Sequence, residues 1–93
     1  MEVKSSGSLV EVDGVIKTIN DSQVLVNAIK DAARNGSVTV RINDSFSLPS
    51  TVIGELLKIK DNGANVTLEV KDDILYELLD DLNLVSTFNV RKI

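Results

Sequence analysis

The sequence predicts a single two-layer α/β domain: a mixed sheet in the order β-β-α-β-α-β-α-β, with its helices on one face. Three observations carry that expectation. Aliphatic residues switch repeatedly between strand and helix periodicity along the chain. Turn signals such as Asn35-Gly36 and Asn62-Gly63 fall between the periodic stretches. The strand-like stretches alternate apolar with polar residues, whereas a sheet covered on both faces would show continuous apolar runs. Under a second helix layer, Arg41, Glu69, Lys71 and Arg91 would be buried charges, each costing several kcal/mol unless paired. One face is therefore expected to stay open. The 93 residues suit one domain, spanning 1–93, with a modest core.

Glu2–Lys4 and Leu9–Val12 read as strands joined by Ser5-Ser6-Gly7-Ser8. Asp13-Gly14 offers an alternative hairpin that would pair Leu9–Val12 with Val15–Thr18. A helix is predicted to start with Asn20 as cap and Gln23 reaching back to it. Leu25, Ala28, Ile29 and Ala32 form its apolar stripe, and Asn35-Gly36 closes it in the left-handed conformation. Val38, Val40 and Ile42 alternate with Ser37, Thr39 and Arg41 as a strand. The second helix opens around Pro49-Ser50-Thr51, turns Val52, Ile53, Leu56, Leu57 and the Lys60 stem inward, and ends at Asn62-Gly63. Val66, Leu68 and Val70 make the next strand. Asp72 or Asp73 caps a third helix with the stripe Leu75, Leu78, Leu79 and Leu82, stopped by Asn83. Phe88 and Val90, alternating with Thr87, Asn89 and Arg91, form the last strand.

Composition removes whole classes of function. With no cysteine and no histidine, the chain has no disulfide, no thiolate chemistry, no ordinary zinc site and no imidazole catalysis. Without those residues no catalytic triad is possible unless a Ser–Lys pair serves, paired carboxylates would need to converge on a cleft, and no glycine-rich phosphate cradle with a lysine is present. The expectation is a binding module and no enzyme, with no cofactor. Asp72 and Asp73 lie about 12 Å by helical rise from Asp80 and Asp81, too far apart to share a metal ion, so no metal is expected. A net charge of −4 and only Phe46, Tyr76 and Phe88 as aromatics disfavour nucleic acid. Apolar runs are short and Met1-Glu2-Val3-Lys4 has no signal-peptide character, so a cytoplasmic chain without membrane insertion is expected.

Val12-Asp13-Gly14-Val15-Ile16, then Pro49-Ser50-Thr51-Val52-Ile53-Gly54-Glu55-Leu56-Leu57, then Asn83-Leu84-Val85-Ser86-Thr87-Phe88 together carry a family pattern. The sequence resembles the STAS domain, the fold of bacterial anti-sigma factor antagonists and of regulatory tails of anion transporters. The family carries a glycine ahead of an apolar residue in its second strand, so the resemblance implies that Gly14 is a bulge within a strand. It typically has Asp-Ser-Ser-Gly-Leu-Gly followed by paired leucines where this chain has Pro49 to Leu57. Ser50 stands at the place of the serine that antagonists present to an anti-sigma kinase, with Thr51 beside it. Pro49 replaces the family aspartate and Val52 the glycine.

From the residues alone, Ser50 would simply cap its helix; the resemblance implies a phosphoacceptor at Ser50 or Thr51. Phe46 and Leu48 in the preceding loop either anchor a partner or cover the end of the core. The implied partner surface is Phe46, Ser47, Leu48, Pro49, Ser50, Thr51, Ile53 and Gly54. The partner would be a protein: an anti-sigma kinase in a transcription-regulating phospho-switch, or, alternatively, a signalling scaffold or lipid-transport complex in which the chain is a non-switching adaptor. A monomer or weak dimer is expected.

Overall fold

A computed structural model describes the chain from Met1 to Ile93. β1 (Glu2–Ser6) and β2 (Leu9–Asp13) form an antiparallel hairpin. Ser6 pairs with Leu9, so the turn is only Gly7-Ser8, and Gly7 takes the positive φ of 58° that such a turn demands. Ser5 and Ser6 thus belong to the strand rather than to the connection. α1 (Ile19–Ala32) follows, then a short 3-10 turn, Ala33–Asn35. β3 (Ser37–Ile42), α2 (Ser50–Asp61), β4 (Asn65–Val70), α3 (Asp73–Asp81) and β5 (Val90–Lys92) complete the chain.

The five-stranded sheet runs β1-β2-β3-β4-β5, with β2 to β5 mutually parallel. Each parallel crossover is expected to be right-handed, and each steps one strand in the same direction. Successive helices must then fall on the same face. Burial follows that geometry: Val10, Val12, Val38, Val40, Ile42, Val66, Leu68 and Val70 are buried beneath the helices. Between them, Glu11, Thr39, Arg41, Thr67 and Glu69 stay partly exposed on the open face. The domain is α/β, with its helices in one layer.

Several local expectations are corrected. Gly14 is not a bulge: β2 ends at Asp13, and Gly14 (φ 87°) turns the chain out of the sheet, so Val15–Thr18 forms no strand. A side chain at Gly14 would meet the Met1 Cα at 3.2 Å. The cap of α1 is Thr18, two residues earlier than Asn20. Its hydroxyl accepts from the Asp21 N–H (3.0 Å), while the Asp21 carboxylate accepts from the N–H groups of Thr18 (3.2 Å) and Lys17 (3.0 Å). A charged acceptor serving two amides outcompetes the neutral Gln23 amide, which instead bonds Asn27. In α2 the third inward position is Ile59, and Lys60 is exposed. In α3 only Leu75 and Leu79 are buried; Leu78 and Leu82 face solvent. Asn89 takes φ 48°, which breaks the last strand and leaves Phe88, fully buried, outside it. Gly36, Gly63 and Asn83 do adopt the expected left-handed conformation.

Register also organises the open face. Lys4 lies opposite Glu11, Glu11 opposite Arg41, Arg41 opposite Glu69, and Glu69 opposite Arg91. One row of alternating sign crosses all the strands. Arg41 Nε donates to Glu69 Oε1 at 2.9 Å, and its other side reaches Glu11 at 3.9 Å. Cross-strand pairs of this kind contribute about 0.2–1 kcal/mol each.

Candidate functional site

The residues singled out in the sequence gather at the end of the sheet where β3 hands over to α2. The connection, residues 43–49, is pinned from several sides. The Asn43 N–H donates to the Val12 carbonyl (3.0 Å), and Asp44 accepts from the Gly14 N–H (2.7 Å). Ser45 is fully buried: its Oγ accepts from the Ile16 N–H (3.4 Å) and donates to the Ser47 carbonyl (2.8 Å). Two consecutive side chains with short polar arms, Asp44 and Ser45, thus accept from backbone N–H groups of the β2–α1 connection. Of these contacts only the Ser45–Ser47 bond is of the local kind that such residue types favour; the other two join segments about thirty residues apart.

On this frame the candidate residues separate. Leu48 (6% exposed) and Val52 (0%) sit in the core and hold the loop and the first turn of α2 from below. Phe46 projects at 53% exposure. Ser50, Thr51 and Gly54 are exposed, while Ser47, Pro49 and Ile53 are half-buried. The exposed part of the surface is therefore Ser50, Thr51 and Gly54, with the Phe46 ring standing out of the preceding loop.

Ser50 does not cap α2. Pro49 occupies the cap position (φ −59°, ψ 145°) and has no side-chain acceptor. Its carbonyl takes the N–H groups of Val52 (3.0 Å) and Ile53 (3.1 Å). Ser50 is the first helical residue, and its hydroxyl makes no cap hydrogen bond. Proline's fixed φ suits the entry to a helix, which moves the serine one place too far along to cap. The first turn holds no acidic residue either. The positive end of the helix dipole at Ser50 is thus not offset by a carboxylate of its own helix, a setting that favours an added anion.

Beside this end of the sheet, on the open face, Asn43 Nδ2 donates to Glu11 (2.9 Å) and Asp13 (2.7 Å). That hydrogen bond, helped by Lys4, holds the Asp13 carboxyl below its ordinary value. Glu2 and then Asp13, each 3.5 Å from the Lys4 ammonium, raise the lysine in turn. Asn43 Oδ1 is buried without a partner. No three acidic side chains converge to hold a metal ion. Asp72 caps α3 by accepting from Ile74 (2.8 Å) and Leu75 (3.1 Å), and Asp73 pairs with Lys92 at 3.2 Å. An open concavity of about 370 Å³ lies away from the candidate residues, lined by Lys30, Arg34, Ile59 and Asn62 among others; none of the sequence-predicted residues touches it. No helix is long and apolar enough to cross a membrane.

No protein-family model, curated protein or solved structure gives a significant match to the chain.

Proposed function

We propose that the chain is a protein-protein interaction module of the anti-sigma-antagonist type, a non-enzymatic STAS-like domain that binds a kinase-like partner in the cytoplasm through the β3–α2 patch and is regulated by phosphate on Ser50. The observation that carries the reading is that Ser50 is exposed at the first position of α2 with its hydroxyl unused. The plain structural explanation for a serine here was capping, but Pro49 stands at the cap position and Ser50 one place beyond it. Phosphate at this position adds nearly two negative charges beside Phe46, Thr51 and Gly54. A partner docked on a neutral patch would then face a charge it must desolvate.

Incubation with an anti-sigma kinase of the GHKL type, followed by intact mass measurement, tests this. The expected result is a single added phosphate that Ser50→Ala abolishes, and partner binding that Ser50→Asp weakens. Equal phosphate uptake by the parent chain and Ser50→Ala would overturn it. The alternative is a non-switching adaptor subunit of a signalling scaffold or lipid-transport complex. It is favoured by Pro49 and Val52, which replace the family's aspartate and glycine, and Val52 is a core residue here. In that case binding to the assembly persists in Ser50→Asp.

A further inference from the structure

The exposed leucines of α3 have a direction. Asp73 reaches Lys92 of β5, so that flank of α3 faces the sheet edge. Ile74, Leu78 and Leu82, spaced four residues apart, occupy the opposite flank, toward α2. In α2, Glu55 reaches Lys30 of α1 at 3.8 Å, which turns Ile53 and Leu57 the other way, toward α3. Two apolar flanks thus face each other across the gap between the helices. α1 and α2 pack against one another, but α2 and α3 share no comparable contact. Ile74 is 64% exposed, Leu82 50% and Leu78 36%, while Ile53 and Leu57 are half-buried along the far wall. An apolar trough therefore runs between α2 and α3.

Its charge selects the occupant. Glu77 and Asp81, on the outer side of α3, take part in none of the ion pairs of the structure, and the last turn of α3 contains no basic residue. The carbonyl end of the helix adds to the same negative field. Lys60, on the same flank of α2 as Ile53 and Leu57, is the cation beside the trough, and Glu77 with Asp81 leaves the two walls net negative. A second copy of this chain would bring the same net-negative walls, and the whole chain carries a net charge of −4, which disfavours self-association. A segment with an apolar stripe and cationic flanks satisfies both properties.

We propose that the trough between α2 and α3 is the docking site for an amphipathic helix of a partner protein, with leucine-like residues on one face and Lys or Arg beside them. This rests on the reading of the chain as an interaction module, but not on Ser50: loss of phosphate uptake would leave the trough untouched, and failure of the trough would leave the phosphoacceptor standing. The probes are two synthetic helical peptides with the same leucine pattern, one flanked by Lys and one by Glu, titrated into the full chain labelled for NMR. The Lys peptide is expected to shift the signals of Ile53, Leu57, Ile74, Leu78 and Leu82, and to bind about tenfold or more tightly than the Glu peptide. Leu78→Glu is expected to weaken it by a similar factor with the melting temperature retained. The pair Glu77→Lys and Asp81→Lys should reverse the preference between peptides. The proposal is overturned by equal binding of the two peptides or by no shift at millimolar peptide. Shifts confined to another face, or a dimer in sedimentation that Leu78→Glu dissociates, would also overturn it.

Discussion

Val52 stands where the resemblance would place a glycine, and its replacement can be worked through in two steps. The side chain is fully buried in the first turn of α2. Val52→Ala removes two methyl groups, about 1.6 kcal/mol of transfer free energy, to which the residual cavity adds about 1 kcal/mol. Alanine's better helix propensity returns about 0.6 kcal/mol, leaving a net loss of about 2 kcal/mol. Going on to Val52→Gly adds about 1 kcal/mol more through backbone freedom. A total near 3 kcal/mol is a large part of the roughly 5–14 kcal/mol expected for a domain of this size. It corresponds to a fall in melting temperature of about 12–24 °C. Urea unfolding followed by far-UV circular dichroism measures it, with the midpoint moving and the slope unchanged. A combined loss below about 1 kcal/mol would refute the claim that position 52 anchors the Ser50 turn to the core.

Three further outcomes follow from particular contacts. Ser50→Ala should change stability by no more than about 0.5 kcal/mol in the same unfolding assay, because the hydroxyl caps nothing; a loss near 1 kcal/mol would mean that it does. A double-mutant cycle on Arg41→Ala and Glu69→Ala should give a coupling of about 0.5–1 kcal/mol that shrinks in molar salt, since Arg41 is partly exposed and screened; zero coupling would remove the ladder as a stabilising feature. Asp21 is held below its ordinary 3.8 by the backbone N–H groups of Lys17 and Thr18. Its contribution is therefore present above the unfolded value and lost as pH falls through the lower folded value. Stability of the parent chain should fall more than that of Asp21→Asn in acid, and parallel pH curves for the two would sink the assignment.

Much of the architecture was legible in the residues. Alternation in Val38–Ile42 and Val66–Val70 fixed which side of each strand was buried, because a strand's side chains can only alternate. Charged residues at the intervening positions required one face to remain open. Asn35-Gly36, Asn62-Gly63 and Asn83 marked helix ends because few residues tolerate positive φ. These are local constraints, and local chemistry decided them.

Other features depended on partners distant in sequence. The cap of α1 is not one of them: the Asp21 carboxylate, three residues from Thr18, decides it locally. Gly14 fits a bulge as well as an exit turn until Asp44, from another connection, takes its N–H. The charges on the open face read singly as solvated, and register alone made them a ladder of alternating sign. Leu78 and Leu82 keep the same helical spacing as the core residues Leu75 and Leu79. Periodicity groups all four, but which flank meets another element depends on where α2 and β5 lie. Sequence by itself thus determined the succession of elements and their inward faces, because backbone sterics and hydrophobic period act within a few residues. Tertiary structure alone decided that the charges of the open face line up as a ladder, and that an apolar flank of α3 is left uncovered, because both depend on how distant elements are placed side by side.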